Sequence, residues 1–300
     1  MARSRNLIIL VVGIALLAGV AYFKDKSTVI TSGNQEPGIV ISLGEDLNTE
    51  QRKIVRGYFN SYQNGREARL ITVSNAEERR YLQGVIDEKL IGTRAISSAY
   101  CELLDKGSGI EVQVENITAI TSFMYANALS TAGISDARVI VAAPFKVSGT
   151  AALTGIIKAF ESASGKNLNE NAKQTAHQEI AETSELGREI GNDNAQKIIY
   201  EVKRKVIEDN ISQPEEIKKI IIEVAANLNI SLSEAQMASI ISLMQKLNQL
   251  DIKISNIDEQ LQNLERNIKE IKSSGEEAIG FIQKLINLLN SLIANIQSII

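Results

Sequence analysis

Residues 136–156 read DARVIVAAPFKVSGTAALTGI, and how they are parsed decides the fold. Val139, Ile140 and Val141 form a β-branched run that ends near Pro144. Gly149 and Thr150 then open a stretch of small and apolar residues with helical spacing that stops at Gly165. The order is strand, turn, helix. A second stretch, EARLITVS (67–74), has the same pattern as DARVIVAA (136–143), and each follows one helical segment and precedes another. The implied order is βαβα, a linking strand, then βαβα again. Such alternation predicts an α/β domain over 39–165, with a mixed or parallel sheet built from two βαβα-like units, and suggests an internal duplication. RAISSAYCELL and GIEVQVENIT flank DKGSG and read as a β-hairpin.

Beyond Gly165 no strand-like run is evident. Helical patterns occupy 169–188, 192–209, 214–227 and 234–272, giving a helical extension over 166–232 and a coiled-coil helical hairpin over 233–300. Pro214 and Ser233 mark helix starts. Ile240, Leu247, Ile254, Leu261 and Ile268 recur every seven residues, and Leu243, Leu250, Ile257, Leu264 and Ile271 fill the second seam. That periodicity is of coiled-coil quality. The SSG at 273–275 turns the chain into a last apolar helix, which can pack back on the first. Pairing within the hairpin and pairing between chains both remain open. The second makes Leu247, Leu250, Ile254, Ile257, Leu261 and Leu264 a partner-binding seam.

The first 26 residues differ in kind. Arg3 and Arg5 precede an uncharged run from Leu7 to Phe23, followed by Lys24 and Lys26. Such a run spans roughly 25 Å as a helix, close to the hydrocarbon thickness of a bilayer. It reads as a signal anchor, with a cleaved signal peptide as the competing reading. Either way the remainder is placed outside the cytoplasm, membrane-bound in the first case and secreted in the second. Residues 27–38 are polar, contain Gly33 and Pro37, and read as a linker.

Composition excludes some functions. A net charge of −4 argues against a nucleic-acid partner, and one cysteine precludes an internal disulfide framework. With aromatic residues at 4%, a large stacking surface for bases or sugars is not expected. The opening stretch is not a nucleotide-triphosphate loop, because Ile156 follows Gly155 where a lysine must reach the outer phosphates. It does set Ser148, Gly149 and Thr150, with Lys146 close by, at a helix start suited to an anion. Glu45 and Asp46, after the first strand, are candidate oxygen ligands for a metal, although a solvated acidic pair at a helix start is the simpler reading. Glu77 and Glu78 read in the same way, His177 as a lone exposed histidine on a polar helix, and Cys101 as a small buried residue. No motif calls for a cofactor.

Several of these segments also occur together elsewhere. ISLGEDLNTEQ, ITVSNAEERRYL, IGTRAISSAY, GSGIEV, MYANALSTAGISDARVIVAAPFKVSGTAALTGI and TSELGREIG, in this order over about 40–208, resemble the YpuA-like proteins of Gram-positive bacteria. That family is uncharacterised, and the resemblance implies an envelope-associated, extracytoplasmic role without catalytic residues to carry over. The expected function is therefore a membrane-tethered binding or scaffolding module. The alternative is an extracytoplasmic hydrolase or ligand-sensing domain with an anion site at the strand-end loops.

Overall fold

The β-branched runs all enter one sheet. The computed structural model describes residues 38–83, 91–250 and 252. Among them, in order, are β1 (Ile39–Gly44), α1 (Thr49–Gln63), β2 (Arg69–Val73), α2 (Asn75–Leu82), β3 (Ser98–Leu103), β4 (Ile110–Ile117), α3 (Ser122–Thr131), β5 (Ala137–Val147), α4 (Thr150–Ser164), α5 (Glu170–Ile190), α6 (Asn192–Glu208), α7 (Pro214–Asn227) and α8 (Glu234–Asn248). The sheet order is β2-β1-β3-β5-β4. β1 runs parallel to β2 and β4 parallel to β5, while β3 is antiparallel to both of its neighbours, so the α/β sheet is mixed.

The hairpin expected around DKGSG does not form, because β5 lies between β3 and β4. Its turn is fastened to the residue that precedes β5. Asp136 Oδ1 accepts the Gly107 N–H at 2.8 Å and the Gly109 N–H at 3.0 Å, and the Asp136 carbonyl accepts the Leu104 N–H. The loop therefore arches over the start of β5 and spreads the two strands to either side of it.

Strand alternation sorts the core into two layers. Val40, Ala99, Cys101, Val139 and Val141 face one side, under α3 and α4. Ile39, Ile41, Leu43, Tyr100 and Ile140 face the other, under Val55 and Phe59 of α1. The duplication suggested by the sequence does not survive this placement. Both βαβ units step across the sheet in the same direction, yet α1 and α3 lie on opposite faces, so the two crossovers have opposite hand and are not superposable copies. One of them departs from the usual right-handed rule.

On the α3–α4 side small residues set the packing distance. A Cβ at Gly155 of α4 would come within 2.5 Å of Ser42 Oγ on β1, so only glycine lets that helix lie so close to the sheet. α5 then joins two cores. Its Ala176 and Ile180 belong to the sheet layer, whereas Leu186 packs into a helical bundle with α6, α7 and α8.

α8 begins with a capping box, Ser233 exchanging hydrogen bonds with Gln236. The single helix expected from 234 to 272 is shorter, since α8 ends at Asn248. Past its end, Leu250 and Ile252 pack against the bundle core. The seam positions Ile254, Ile257, Leu261 and Leu264, and the expected helical hairpin, lie outside the described residues. So does the apolar run Leu7–Phe23. Among the described residues no helix is long and apolar enough to cross a membrane.

Candidate functional site

The first turn of α4 is the most elaborately built position on the sheet. Gly149 occupies its N-cap with φ of 98°, and no side chain of its own segment caps the helix. A side chain is excluded here twice, by the positive φ and by space, for a Cβ would lie 2.5 Å from Ile117 Cγ2 and 2.7 Å from the Tyr125 hydroxyl. Tyr125, fully buried, donates its hydroxyl to the Gly149 carbonyl at 2.6 Å.

A carboxyl from another helix meets the first residue of α4. Thr150 Oγ1 donates to Glu78 Oε1 of α2 at 2.5 Å, and the Asn75 amide donates to Glu78 Oε2 at a longer 3.4 Å. Glu78 is 0% exposed, which corrects its reading as part of a solvated face. The helix start does attract a carboxylate, and the chain supplies its own. Burial pushes the Glu78 carboxyl up to about 7, against the downward pull of Thr150, Asn75 and Arg79. Ser148 Oγ lies 3.5 Å from Thr150 Oγ1. Both line a cavity of about 20 Å³ with Leu82, Ile120, Ile180 and Ser184, room for about one water. Ser148, Gly149 and Thr150 are thus brought together, while Lys146 is exposed.

Glu45 and Asp46 line no part of this cavity. Both are exposed. Asp46 Oδ2 accepts the Ala95 N–H at 2.7 Å, fastening the loop that precedes β3. Among the described residues no group of three or more His, Cys, Asp or Glu side chains is gathered to hold a metal.

Of the seam, Leu247 is fully buried in the bundle beside Leu243 and Met244, and Leu250 is partly buried against the same core. A groove of about 170 Å³ runs between α5 and α8. Glu182, Glu185 and Glu189 line it along with Leu186 and Ile240, Ser239 donating to Glu182 and Gln236 to Glu189. The three glutamates recur along one face of α5, a pattern visible in the sequence, but only packing against α8 makes them a groove.

Three further groups are buried: Cys101 as expected, whereas His177 and Lys203 are placed differently from a surface reading of their polarity. His177 is buried and not exposed. Its ring stacks on Tyr81 at 4.5 Å between centroids, Nδ1 lies 2.8 Å from the Lys173 carbonyl, and Nε2 lies 3.0 Å from Thr154 Oγ1. A carbonyl can only accept, so Nδ1 carries the proton and Nε2 receives the threonine hydroxyl. Burial lowers the imidazole to about 4, leaving it neutral and engaged. Cys101 is fully buried, and burial raises its thiol to about 12. Lys203 is 0% exposed and binds Glu179 at 3.0 and 3.2 Å, Thr131 Oγ1 at 2.7 Å and Asn127 Oδ1 at 3.0 Å. This fully satisfied network pins α6 to α3 and α5, and nothing in the spacing of those residues announces it.

The architecture defines a class: a mixed α/β layer continued through one long helix into a helical bundle, with several polar groups buried where helices meet. The chain belongs to the family described as Protein of unknown function (DUF1002), whose model matches residues 43–264. It is 42% identical over 215 residues to the Uncharacterized protein YpuA of Bacillus subtilis (strain 168), covering 71% of this chain and 73% of that protein. The family resemblance read from the motifs is thereby shown. No solved structure matches.

Proposed function

We propose that this chain is a membrane-tethered extracytoplasmic protein of the cell envelope that works as a binding or scaffolding module, its apolar N-terminal run acting as the tether. The observation that carries the proposal is the apolar repeat with a period of seven residues. Its first positions, Ile240, Leu243 and Leu247, are buried in the bundle, so the apolar face that begins the repeat is already used in packing α8. The repeat continues in sequence through Ile254, Ile257, Leu261 and Leu264, a seam suited to a partner helix or to a second copy. The family match reaches residue 264 and so includes those positions, which supports the reading.

Chemical crosslinking in intact cells tests this on the full chain and on a chain ended after Ile252, which retains α8. The expected result is a crosslinked species, with a partner or with a second copy, that the shortened chain loses. Equal recovery of the same species from both chains would sink the proposal.

A ligand-sensing or hydrolytic role at the strand-end loops draws support from the cavity lined by Ser148 and Thr150. It is the weaker reading, because a free anion would have to displace the Glu78 carboxyl from Thr150. Calorimetric titration with inorganic phosphate decides it. Saturable binding that is lost in Thr150→Val would favour the ligand role, and no heat would remove it.

A further inference from the structure

We propose that Glu78 is a pH-operated latch between α2 and the first turn of α4, closed when its carboxyl is protonated and loosened when it ionises. The geometry that carries this is a carboxyl taken wholly out of water without an ion-pair partner among the described residues. Among the described residues no lysine or arginine forms an ion pair with Glu78, whose hydrogen-bond donors are the neutral Thr150 and Asn75. The other two buried glutamates of the core are built differently: Glu179 faces the Lys203 ammonium, and Glu102 is held by Arg66 and Arg138. An uncompensated anion at such a position costs far more than a neutral acid.

Among the described residues, the groups around Glu78 do not supply the missing charge. On its own helix, Arg79 acts from a distance while its Nε goes to Asn75 Oδ1 and its Nη2 to the Gly92 carbonyl. Glu77 is turned to Lys158 of α4, which is occupied by that carboxylate and by the Thr72 carbonyl. From α3 the Tyr125 phenol faces it, and burial with the nearby Glu78 charge drives that phenol well above its ordinary range, so it stays neutral. α5 contributes Ala181 and Ser184 to the adjoining cavity wall. The positive end of α4 favours the anion. Burial outweighs it, and the carboxyl rests near 7. The cavity beside Thr150 gives water an entry once the charge appears.

Opening that exposes Glu78 returns it to an ordinary carboxyl. Linkage between about 4.5 and about 7 then raises the opening equilibrium of α2 roughly tenfold from pH 6 to pH 8. Hydrogen–deuterium exchange of the α2 amides in the full chain, corrected for intrinsic rates, reads this directly. Wild type is expected to lose protection by about that factor, and Glu78→Gln, which keeps an acceptor for Thr150, is expected to lose none. The same pH dependence in both chains would overturn the proposal. A carboxyl-carbon NMR titration of the wild-type chain decides between the outcomes even if the variant fails to fold. A Glu78 midpoint near 7 supports the latch, and one in the usual range of about 4.3 removes it.

Discussion

Glu78 and Glu179 are both buried at junctions between helices, and the two junctions are built on opposite principles. Where α6 meets α3 and α5, Glu179 is met by an ammonium, an amide and a hydroxyl. Where α2 meets α4, Glu78 has, among the described residues, a hydroxyl and a distant amide. One junction fixes its helices through a compensated ion pair. The other, on the latch proposal, is weakened when its carboxyl loses its proton. Burial alone therefore does not say whether a polar group fastens or strains a fold; the counter-charge decides.

The largest effect should come from breaking the compensated junction. Lys203→Met leaves Glu179 buried and unpaired and is expected to cost about 3–5 kcal/mol, read from urea unfolding. Pairing it with Glu179→Leu should recover much of that loss, and no recovery would mean that the network adds net stability beyond charge compensation.

Next comes the uncompensated junction. The Glu78 carboxyl is raised in the fold, so the folded state holds a proton that the unfolded state has released. Its stabilising contribution is complete below about pH 4.5 and is lost as pH rises through about 7, by about 3 kcal/mol in all. Denaturation midpoints of wild type and Glu78→Gln should therefore converge in acid and separate above neutrality. His177 offers a contrast of sign, its imidazole being lowered to about 4. It should stay neutral at pH 5.5, seen as an unshifted ring-carbon resonance, and an imidazolium signal there would contradict the buried Nδ1–H arrangement. The smallest effect belongs to an exposed pair: Lys53→Ala, which removes the contact to Glu50, should change stability by less than about 0.5 kcal/mol.

How much of this was legible depended on how local each decision is. Helix ends were, because a cap is made by neighbours in sequence. Asn48 and Gln51 form a capping box as their spacing implies, Gly165 closes α4 in the left-handed region, and Pro214 opens α7. α2 likewise starts from a local cap, Ser74, whose side chain accepts the Glu77 N–H. Asn116, Asn210 and Asn229, each of which begins an Asn-x-Ser/Thr triplet, take positive φ, a conformation asparagine tolerates in turns and after helices. Of the candidate site, the helix start at Ser148–Thr150 was readable from its small residues and hydroxyls. Its occupant was not, since Glu78 sits far away in sequence on a helix whose charges look uniformly solvated.

The sequence by itself determined the kinds and most of the limits of the elements, the family, and the turn that only Gly149 can make, because propensity, capping and backbone sterics act over a few residues. Tertiary structure decided that β5 separates β3 from β4, that the two crossovers oppose each other in hand, and that Leu250 and Ile252 pack against the bundle past the end of α8. It also decided which charged residues went inside. Those outcomes depend on what meets each group across the core, and desolvation with or without a partner carries energies that no local pattern encodes.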